Sequence, residues 1–218
     1  MATADVRRRN ATYYAGDLRR DLLDAALTVV ATEGPSAVNL RAMARQLGVS
    51  HAAPANHFAD KAAIFTAIAR EGFELLGAAM AEAAAEVGDQ PPRAQFGAIG
   101  RAYVSFAVAH PAHFEVTWRN DLPSRDDPTL HAAADATFDQ LMAGVRAAQA
   151  EGLAAGADER AVAYLAWCSV HGLAVLWLNG QLQGLDSRSF TEVADAVGTL
   201  LNQSLAAYAA PTSEGDPK

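Results

Sequence analysis

The stretch NLRAMARQLGVSHAAPANHFADK, residues 39–61, decides the fold, because it is typical of two short helices joined by a tight turn. Asn39 is a suitable cap for a first helix whose apolar residues recur at helical spacing, namely Leu40, Met43, Ala44 and Leu47. Gly48 can take the left-handed backbone conformation that ends a helix. Ser50 is predicted to cap a second helix, whose exposed first turn in such folds enters the major groove of DNA.

This stretch resembles the DNA-binding domain of TetR-family transcriptional regulators. The resemblance rests on Met43-Ala44, Gly48-Val49-Ser50, His57-Phe58 and Lys61. The chain departs from the family at Ala55, where members usually carry a tyrosine that contacts phosphate, and Asn56 or His57 is a candidate substitute. Pro54 also removes a backbone donor early in the recognition helix. The predicted DNA-binding residues are Asn39, Arg41, Ser50, His51, Ala52, Ala53, Asn56, His57 and Lys61.

The composition predicts an all-α protein, since 51% of the 218 residues are hydrophobic and alanine is abundant. The net charge of −8 argues against nucleic acid when the chain is taken whole. Residues 1–70, however, carry nine Arg and Lys against six Asp and Glu, whereas the remainder carries eight against nineteen. This asymmetry indicates that the front of the chain contacts phosphate and that the acidic rear stays away from DNA.

The sequence also indicates which kinds of site to set aside. Cys168 is the one cysteine, so a disulfide within the chain is impossible and a reducing cytoplasm fits. A zinc site from Cys168 and His171, with His110 and His113 elsewhere, lacks the expected close-spaced ligand pairs. No phosphate loop, nucleotide fingerprint or pair of catalytic carboxylates is visible, and no signal peptide. We therefore expect no metal, no cofactor and no enzymatic activity.

The predicted organisation is a three-helix DNA-binding domain followed by a helical bundle that dimerises. Residues 1–16, which include Arg7-Arg8-Arg9, are predicted to be a flexible basic arm. The DNA-binding domain covers residues 17–60, and a linking helix capped by Asp60 leads into a ligand-binding and dimerisation domain over residues 61–210. Later helices are predicted over 111–119, 128–150 and 189–208, and residues 211–218 are predicted to be disordered.

The C-terminal part resembles a class of TetR-family domain known for a Trp-His-Gly signature, here Trp167 with His171-Gly172, together with His110-Pro111 and Phe114. The resemblance implies a small hydrophobic or amphipathic effector. An apolar pocket with a few polar groups for orientation is typical of such sites. The residues predicted to line it are Tyr103, Phe106, Phe114, Trp118, Phe138, Met142, Trp167 and His171.

The uncharged run between Arg160 and Asp186 is long enough to span a bilayer, but polar residues dilute it. A helix that is apolar all round is equally expected when its own bundle covers one face and a partner subunit the other. We expect the second arrangement and no membrane contact. The predicted dimer interface consists of Ala161, Leu165, Cys168, Gly172, Leu176, Val197 and Leu201.

The sequence thus predicts a one-component transcriptional regulator, a repressor that acts as a homodimer on double-stranded, palindromic operator DNA. A small-molecule effector bound in the C-terminal domain is expected to change the spacing of the two DNA-reading heads. The alternative is a helical ligand-binding or membrane-associated protein that has lost specific DNA reading. Ala55 and Pro54 are the best arguments for that alternative.

Overall fold

All regular secondary structure in the described ranges is helical, which confirms the predicted fold class. A computed structural model describes the backbone of residues 2–124, 126–182 and 188–208, and side chains within these ranges from residue 18 onward. The α-helices are α1 (Ala2–Glu33), α2 (Leu40–Gln46), α3 (Lys61–Glu86), α4 (Pro92–Ala109), α5 (Pro111–Thr117), α6 (Pro128–Ala150), α7 (Glu159–Leu178) and α8 (Phe190–Ala206). Two short 3₁₀ helices occupy Pro35–Ala37 and Ala53–Asn56.

The chain forms two compact units, and neither is a continuous segment. The first comprises residues 1–72 and 111–132, and the second comprises residues 73–110 and 133–218. The sequence predicts a boundary at residue 60, whereas α3 continues from one unit into the other. Helix α5 packs against α1 and therefore belongs to the first unit. The predicted tail, residues 211–218, lies outside the described residues.

The N-terminal segment differs from the predicted arm. Helix α1 begins at Ala2 and continues without a break to Glu33. Residues 2–16 are rich in alanine and arginine and contain no proline, so a helix anchored further along the chain can propagate through them. The side chains of Arg7, Arg8 and Arg9 lie outside the described residues, and their contact with phosphate stays a prediction.

The core of the first unit is formed by the inner faces of α1, α2 and α3. Apolar residues at helical spacing meet there, as the sequence pattern predicts. Each large aliphatic side chain taken out of water contributes roughly 1.5–3 kcal/mol. The buried set includes Leu22, Leu23, Ala26, Val30, Met43, Ala44, Phe58, Ile64, Phe65 and Ile68.

Helix α2 is closed at both ends by the devices that its sequence predicts. The Asn39 side-chain oxygen accepts the backbone N–H groups of Arg41 at 3.0 Å and Ala42 at 3.1 Å. These bonds satisfy two of the donors that the first turn of a helix leaves without a partner. At the other end Gly48 has φ +68°, in the left-handed region.

The turn after α2 is a Schellman motif centred on Gly48. The Gly48 N–H donates to the Arg45 carbonyl at 3.1 Å, and the Val49 N–H donates to the Ala44 carbonyl at 3.0 Å. This pair of bonds satisfies two carbonyls at the end of the helix and reverses the chain within two residues. The direction of the next segment is therefore fixed by the conformation of Gly48.

The second unit is organised by α4, which packs against both α7 and α8. Asp158 caps α7 by accepting the Ala161 N–H at 2.8 Å, as predicted. Ser189 and Glu192 form a reciprocal capping box at the start of α8. The buried residues at the centre of this unit include Phe96, Met142, Val145, Val162, Ala163 and Leu205.

Helix α7 is apolar on more than one side. Its length and composition would allow it to cross a membrane, a test that the core helix of a globular domain also passes. Only 28% of its most apolar window is buried. The outward residues Leu165 and Leu176 are 48% and 41% exposed. Within the described residues, an apolar face of α7 is therefore left uncovered.

Two glycine-to-alanine substitutions of opposite sign test the role of Gly48. Gly48→Ala should destabilise the protein by about 1–2 kcal/mol, because a β-carbon is unfavourable in the left-handed region. In α4, a β-carbon on Gly100 would lie 3.7 Å from Val170, an ordinary contact. Gly100→Ala should thus stabilise by up to about 1 kcal/mol. Urea unfolding measures both, and an unaltered Gly48→Ala midpoint would show that the turn is not strained.

Candidate functional site

The segment after the Gly48 turn is shorter and tighter than predicted. The sequence predicts an α-helix capped by Ser50, and this is wrong: a 3₁₀ helix spans Ala53–Asn56 and begins without a side-chain cap. Pro54 explains the difference, since it has no N–H to donate to a carbonyl four residues back. Its own carbonyl instead accepts the N–H groups of both His57 and Phe58 at 2.9 Å.

Pro54 and Phe58 anchor this segment from below, because both side chains are buried. Most of the predicted DNA-binding residues between α2 and α3 face outward. Ser50, His51, Ala52 and Asn56 are exposed, while Ala53 and His57 are half-buried. The surface that can meet a groove is therefore small and carries few long polar side chains.

The other predicted DNA contacts are on α2 and at the start of α3. Arg41 is exposed on the outer side of α2. The Asn39 oxygen is already used in the cap. The Lys61 ammonium donates to the Ser36 carbonyl at 2.9 Å and lies 5.4 Å from the Phe65 ring centre. Lys61 is thus half-buried and committed to the protein, which the sequence did not predict.

The first unit also contains a charged network that was not predicted from the sequence. Arg20 donates to Asp24 and, at 2.6 Å, to Glu71. The same Glu71 oxygen lies 3.7 Å from Nε2 of the buried His113. The Arg20–Asp24 spacing of four residues was a visible signal. The link to α3 and α5 was not, because those helices are distant in sequence.

The second unit contains a partly buried polar centre among aromatic rings. The Tyr103 hydroxyl lies 2.7 Å from Nδ1 of His171. Burial raises the pKa of Tyr103 above its ordinary value of 10. The tautomer of His171 sets which of the two groups donates in this hydrogen bond.

The predicted ligand-binding residues fall into both units. In the second unit, the ring centres of Trp167 and His171 are 6.3 Å apart, as are those of Phe138 and Trp167. Phe106 and Met142 are buried in the same unit. Phe114 and Trp118 belong to the first unit, where their ring centres are 6.5 Å apart.

An open groove of about 480 Å³ lies between α3 and α4 within the second unit. Phe106 is the one predicted ligand-binding residue that lines it. The groove was not predicted, because it depends on how α3 and α4 pack in the folded protein. Its lining includes Ala79, Ala83, Ala98, Ala102, Glu82, Glu86, Arg101 and His110.

The residues predicted to form a dimer interface lie on α7 and α8. On α7, Ala161, Leu165, Cys168 and Leu176 are exposed and Gly172 is half-buried. On α8, Val197 and Leu201 are half-buried, and the neighbouring Leu200 is 63% exposed. Helices α7 and α8 pack against each other, so these residues belong to adjacent surfaces.

Comparisons with known proteins identify the family. Residues 22–68 match a family model described as bacterial regulatory proteins, tetR family. Residues 96–201 match another, described as Tetracyclin repressor-like, C-terminal domain. The chain belongs to the TetR family. It is a DNA-binding transcriptional regulator with a C-terminal ligand-binding domain, and this family and fold are those of regulators rather than of enzymes.

Solved structures share the fold across most of the chain. A protein of unknown function from Rhodococcus sp. RHA1 is 35% identical, with a TM-score of 0.74 over 87% of this chain and 95% of that one. The TetR-family regulator PfmR from Thermus thermophilus is 20% identical, with a TM-score of 0.68 over 84% and 97%. At that identity the likeness concerns the fold alone.

A third structure, the regulator FadR from Bacillus subtilis, is in complex with stearoyl-CoA. FadR is 15% identical to the present TetR-family protein, with a TM-score of 0.61 over 84% of this chain and 96% of the FadR chain. No curated protein matches the sequence. Among the described residues, no group of three or more His, Cys, Asp and Glu side chains could hold a metal ion.

The polar centre of this TetR-family protein should make its stability depend on pH. Burial lowers the pKa of His171 below its ordinary value of 6.5. At a pH between the lowered pKa of His171 in the folded protein and its ordinary pKa in the unfolded chain, the unfolded chain binds more protons. The free energy of unfolding should therefore fall as the pH falls below 6.5. His171→Gln, which does not titrate, should flatten that part of the profile.

Thermal melting across this pH range measures the effect, with His131→Gln on the exposed side of α6 as the matched control. The control should keep the wild-type slope. If wild type and His171→Gln lose stability in parallel, the Tyr103–His171 bond does not require a neutral histidine.

Proposed function

We propose that the protein is a cytoplasmic homodimeric repressor that binds a palindromic operator and responds to a small hydrophobic or amphipathic effector. One observation carries the proposal. A unit with an exposed helix-turn-helix is combined with a separate helical unit that has a partly buried polar centre and, within the described residues, an uncovered apolar face. A protein that only bound ligand would need no capped α2 and no outward-facing turn.

At the DNA end, phosphate contacts should dominate affinity. Between Ser50 and Asp60 the chain contains no lysine or arginine, and His51 is the one large polar side chain before Asn56. Few base-edge contacts are therefore possible from this short 3₁₀ segment. Contacts to phosphate position such a motif, and base contacts specify the sequence, so His51 and Asn56 are the candidates for reading bases.

At the effector end, the polar centre of Tyr103, His171 and Trp167 is suited to orient a mostly apolar molecule. The surrounding rings offer apolar area, and the hydroxyl and imidazole offer hydrogen bonds. Trp167, His171 and Gly172 also resemble the Trp-His-Gly signature. The complex of FadR with stearoyl-CoA supports an amphipathic effector as the first class to test.

The dimer is proposed to form through α7 and α8 across a two-fold axis. The exposed apolar residues of both helices would then be covered by the same surface of a second copy. A β-carbon built on Gly172 or Gly198 would meet no described atom within 4 Å, so paired helices could approach closely there. Two recognition segments must reach successive major grooves about 34–36 Å apart, which a single chain cannot do.

The dimer makes a direct prediction. Leu176→Glu should give a monomer in sedimentation velocity, because a charge would be buried in an apolar interface. The variant should also lose tight binding to the DNA upstream of its own gene in a gel shift, although residues 39–61 are intact. The matched control is Val108→Glu on α4, where the wild-type side chain is 46% exposed. A dimeric Leu176→Glu protein would exclude this interface.

The effector site makes a second prediction. Tyr103→Phe removes a hydroxyl from the polar centre but keeps the ring, so effector affinity should fall by about tenfold, the value of one hydrogen bond. The ligands are a panel that includes a long-chain fatty acid and stearoyl-CoA, with tryptophan fluorescence as the readout. Tyr164→Phe, at an exposed tyrosine of α7, is the control. If Tyr103→Phe leaves the affinity for every panel ligand that binds unchanged, the effector does not use this hydroxyl.

A further inference from the structure

The basic side chains of the first unit differ in how far the protein itself uses them. Arg19 lies 5.0 Å from the Phe58 ring centre, and Arg20 binds Asp24 and Glu71. Lys61 donates to the Ser36 carbonyl. Arg119 forms a two-bond pair with Asp121, and Arg70 is one of the charges that act on Asp127. These five cations are therefore occupied within the protein.

Arg41 and Arg45 are different. Both are exposed, and within the described part of the chain neither makes an ion pair or a side-chain hydrogen bond. They are four residues apart on α2, so they lie one above the other on one face, about 6 Å apart along the axis. The opposite face holds the buried Met43. Two unengaged guanidinium groups thus project from the outer side of α2.

The segment that follows α2 cannot supply this charge. It carries no lysine or arginine, and Ala55 stands where members of the family usually have a tyrosine that contacts phosphate. Guanidinium groups bind phosphate through parallel N–H···O bonds, and two on one face can contact neighbouring phosphates of one strand. Among residues 39–61, the phosphate contacts should therefore come from α2.

We propose that Arg45, acting with Arg41, is a phosphate anchor of this protein, and that Lys61 is not one. The proposal rests on the proposed function in DNA binding and adds to it a residue and its role. The alternative role for Arg45 is structural. It lies in the last turn of α2, where a cation stabilises the negative end of the helix dipole.

The salt dependence of binding separates the two roles. Each phosphate contact contributes about 0.9 to the slope of log affinity against log salt concentration, so losing one contact from both protomers should reduce that slope by about 1.8. The probe is a fluorescein-labelled, mixed-sequence DNA duplex, titrated by anisotropy between about 50 and 200 mM salt. Phosphate contacts do not depend on sequence, so an unknown operator is no obstacle.

The variants are Arg45→Gln and Arg45→Lys, compared with two controls that also remove one positive charge. Arg45→Gln should lower the slope, and Arg45→Lys should restore most of it, since an ammonium also binds phosphate. Lys61→Met keeps a long unbranched side chain near Phe65, and Arg93→Gln lies on the exposed side of α4 in the second unit. Both controls should leave the slope unchanged.

Four other results would overturn the proposal. A wild-type slope near zero would contradict DNA binding itself, and with it this anchor. A steep wild-type slope that Arg45→Gln leaves unchanged would exclude the anchor while the proposed function stands. A lower melting temperature with an unchanged slope would assign Arg45 to the helix dipole. An equal loss of slope in Arg93→Gln would mean that overall charge, rather than α2, governs binding.

Discussion

The left-handed conformation of Gly48 is the constraint on which the DNA-reading end depends. It ends α2 after seven helical residues and sends the chain back across the core of the first unit. Pro54 and Phe58 then fix the returning segment from below, and the residues between them are left on the surface. A longer α2 would place Ser50 and His51 elsewhere. The exposed surface is thus set by one backbone dihedral angle and two buried side chains.

The DNA-reading unit includes α5, a helix that is distant in sequence from α1 and α2. Helix α5 follows α4 directly in sequence, yet it packs in the DNA-reading unit against α1. The Glu71 carboxylate joins Arg20 of α1 to His113 of α5. A β-carbon on Gly72 would clash with the Thr117 hydroxyl oxygen, so α3 and α5 approach closely at that point. The N-terminal helices are therefore not the whole of the DNA-reading unit.

Features encoded by neighbouring residues could be predicted from the sequence. The caps at Asn39, Asp60 and Asp158 need an acceptor two or three residues before a donor, and all three are present. Helix α6 has the predicted bounds, because Asp127 and Pro128 mark its start and a glycine follows its end. Local chemistry was sufficient for the element order and for the core stripes.

Features that depend on distant residues could not be predicted. The commitment of Lys61 to the Ser36 carbonyl, the groove between α3 and α4, and the place of α5 in the first unit all arise from tertiary packing. The 3₁₀ segment was missed for another reason. Proline is tolerated in the first turn of an α-helix, so Pro54 by itself did not exclude an α-helix there. Whether an α-helix or a 3₁₀ helix forms depends on which carbonyl accepts each of the following N–H groups.

The central claim is that two copies of the helix-turn-helix read two successive major grooves from a dimer. Selection of bound duplexes from a pool of random-sequence DNA tests it, because the selection itself finds the preferred site. We expect enrichment of an inverted repeat whose half-sites are centred about 10–10.5 base pairs, or a multiple of this, apart. Enrichment of a single asymmetric site, or of no sequence at all, would contradict it.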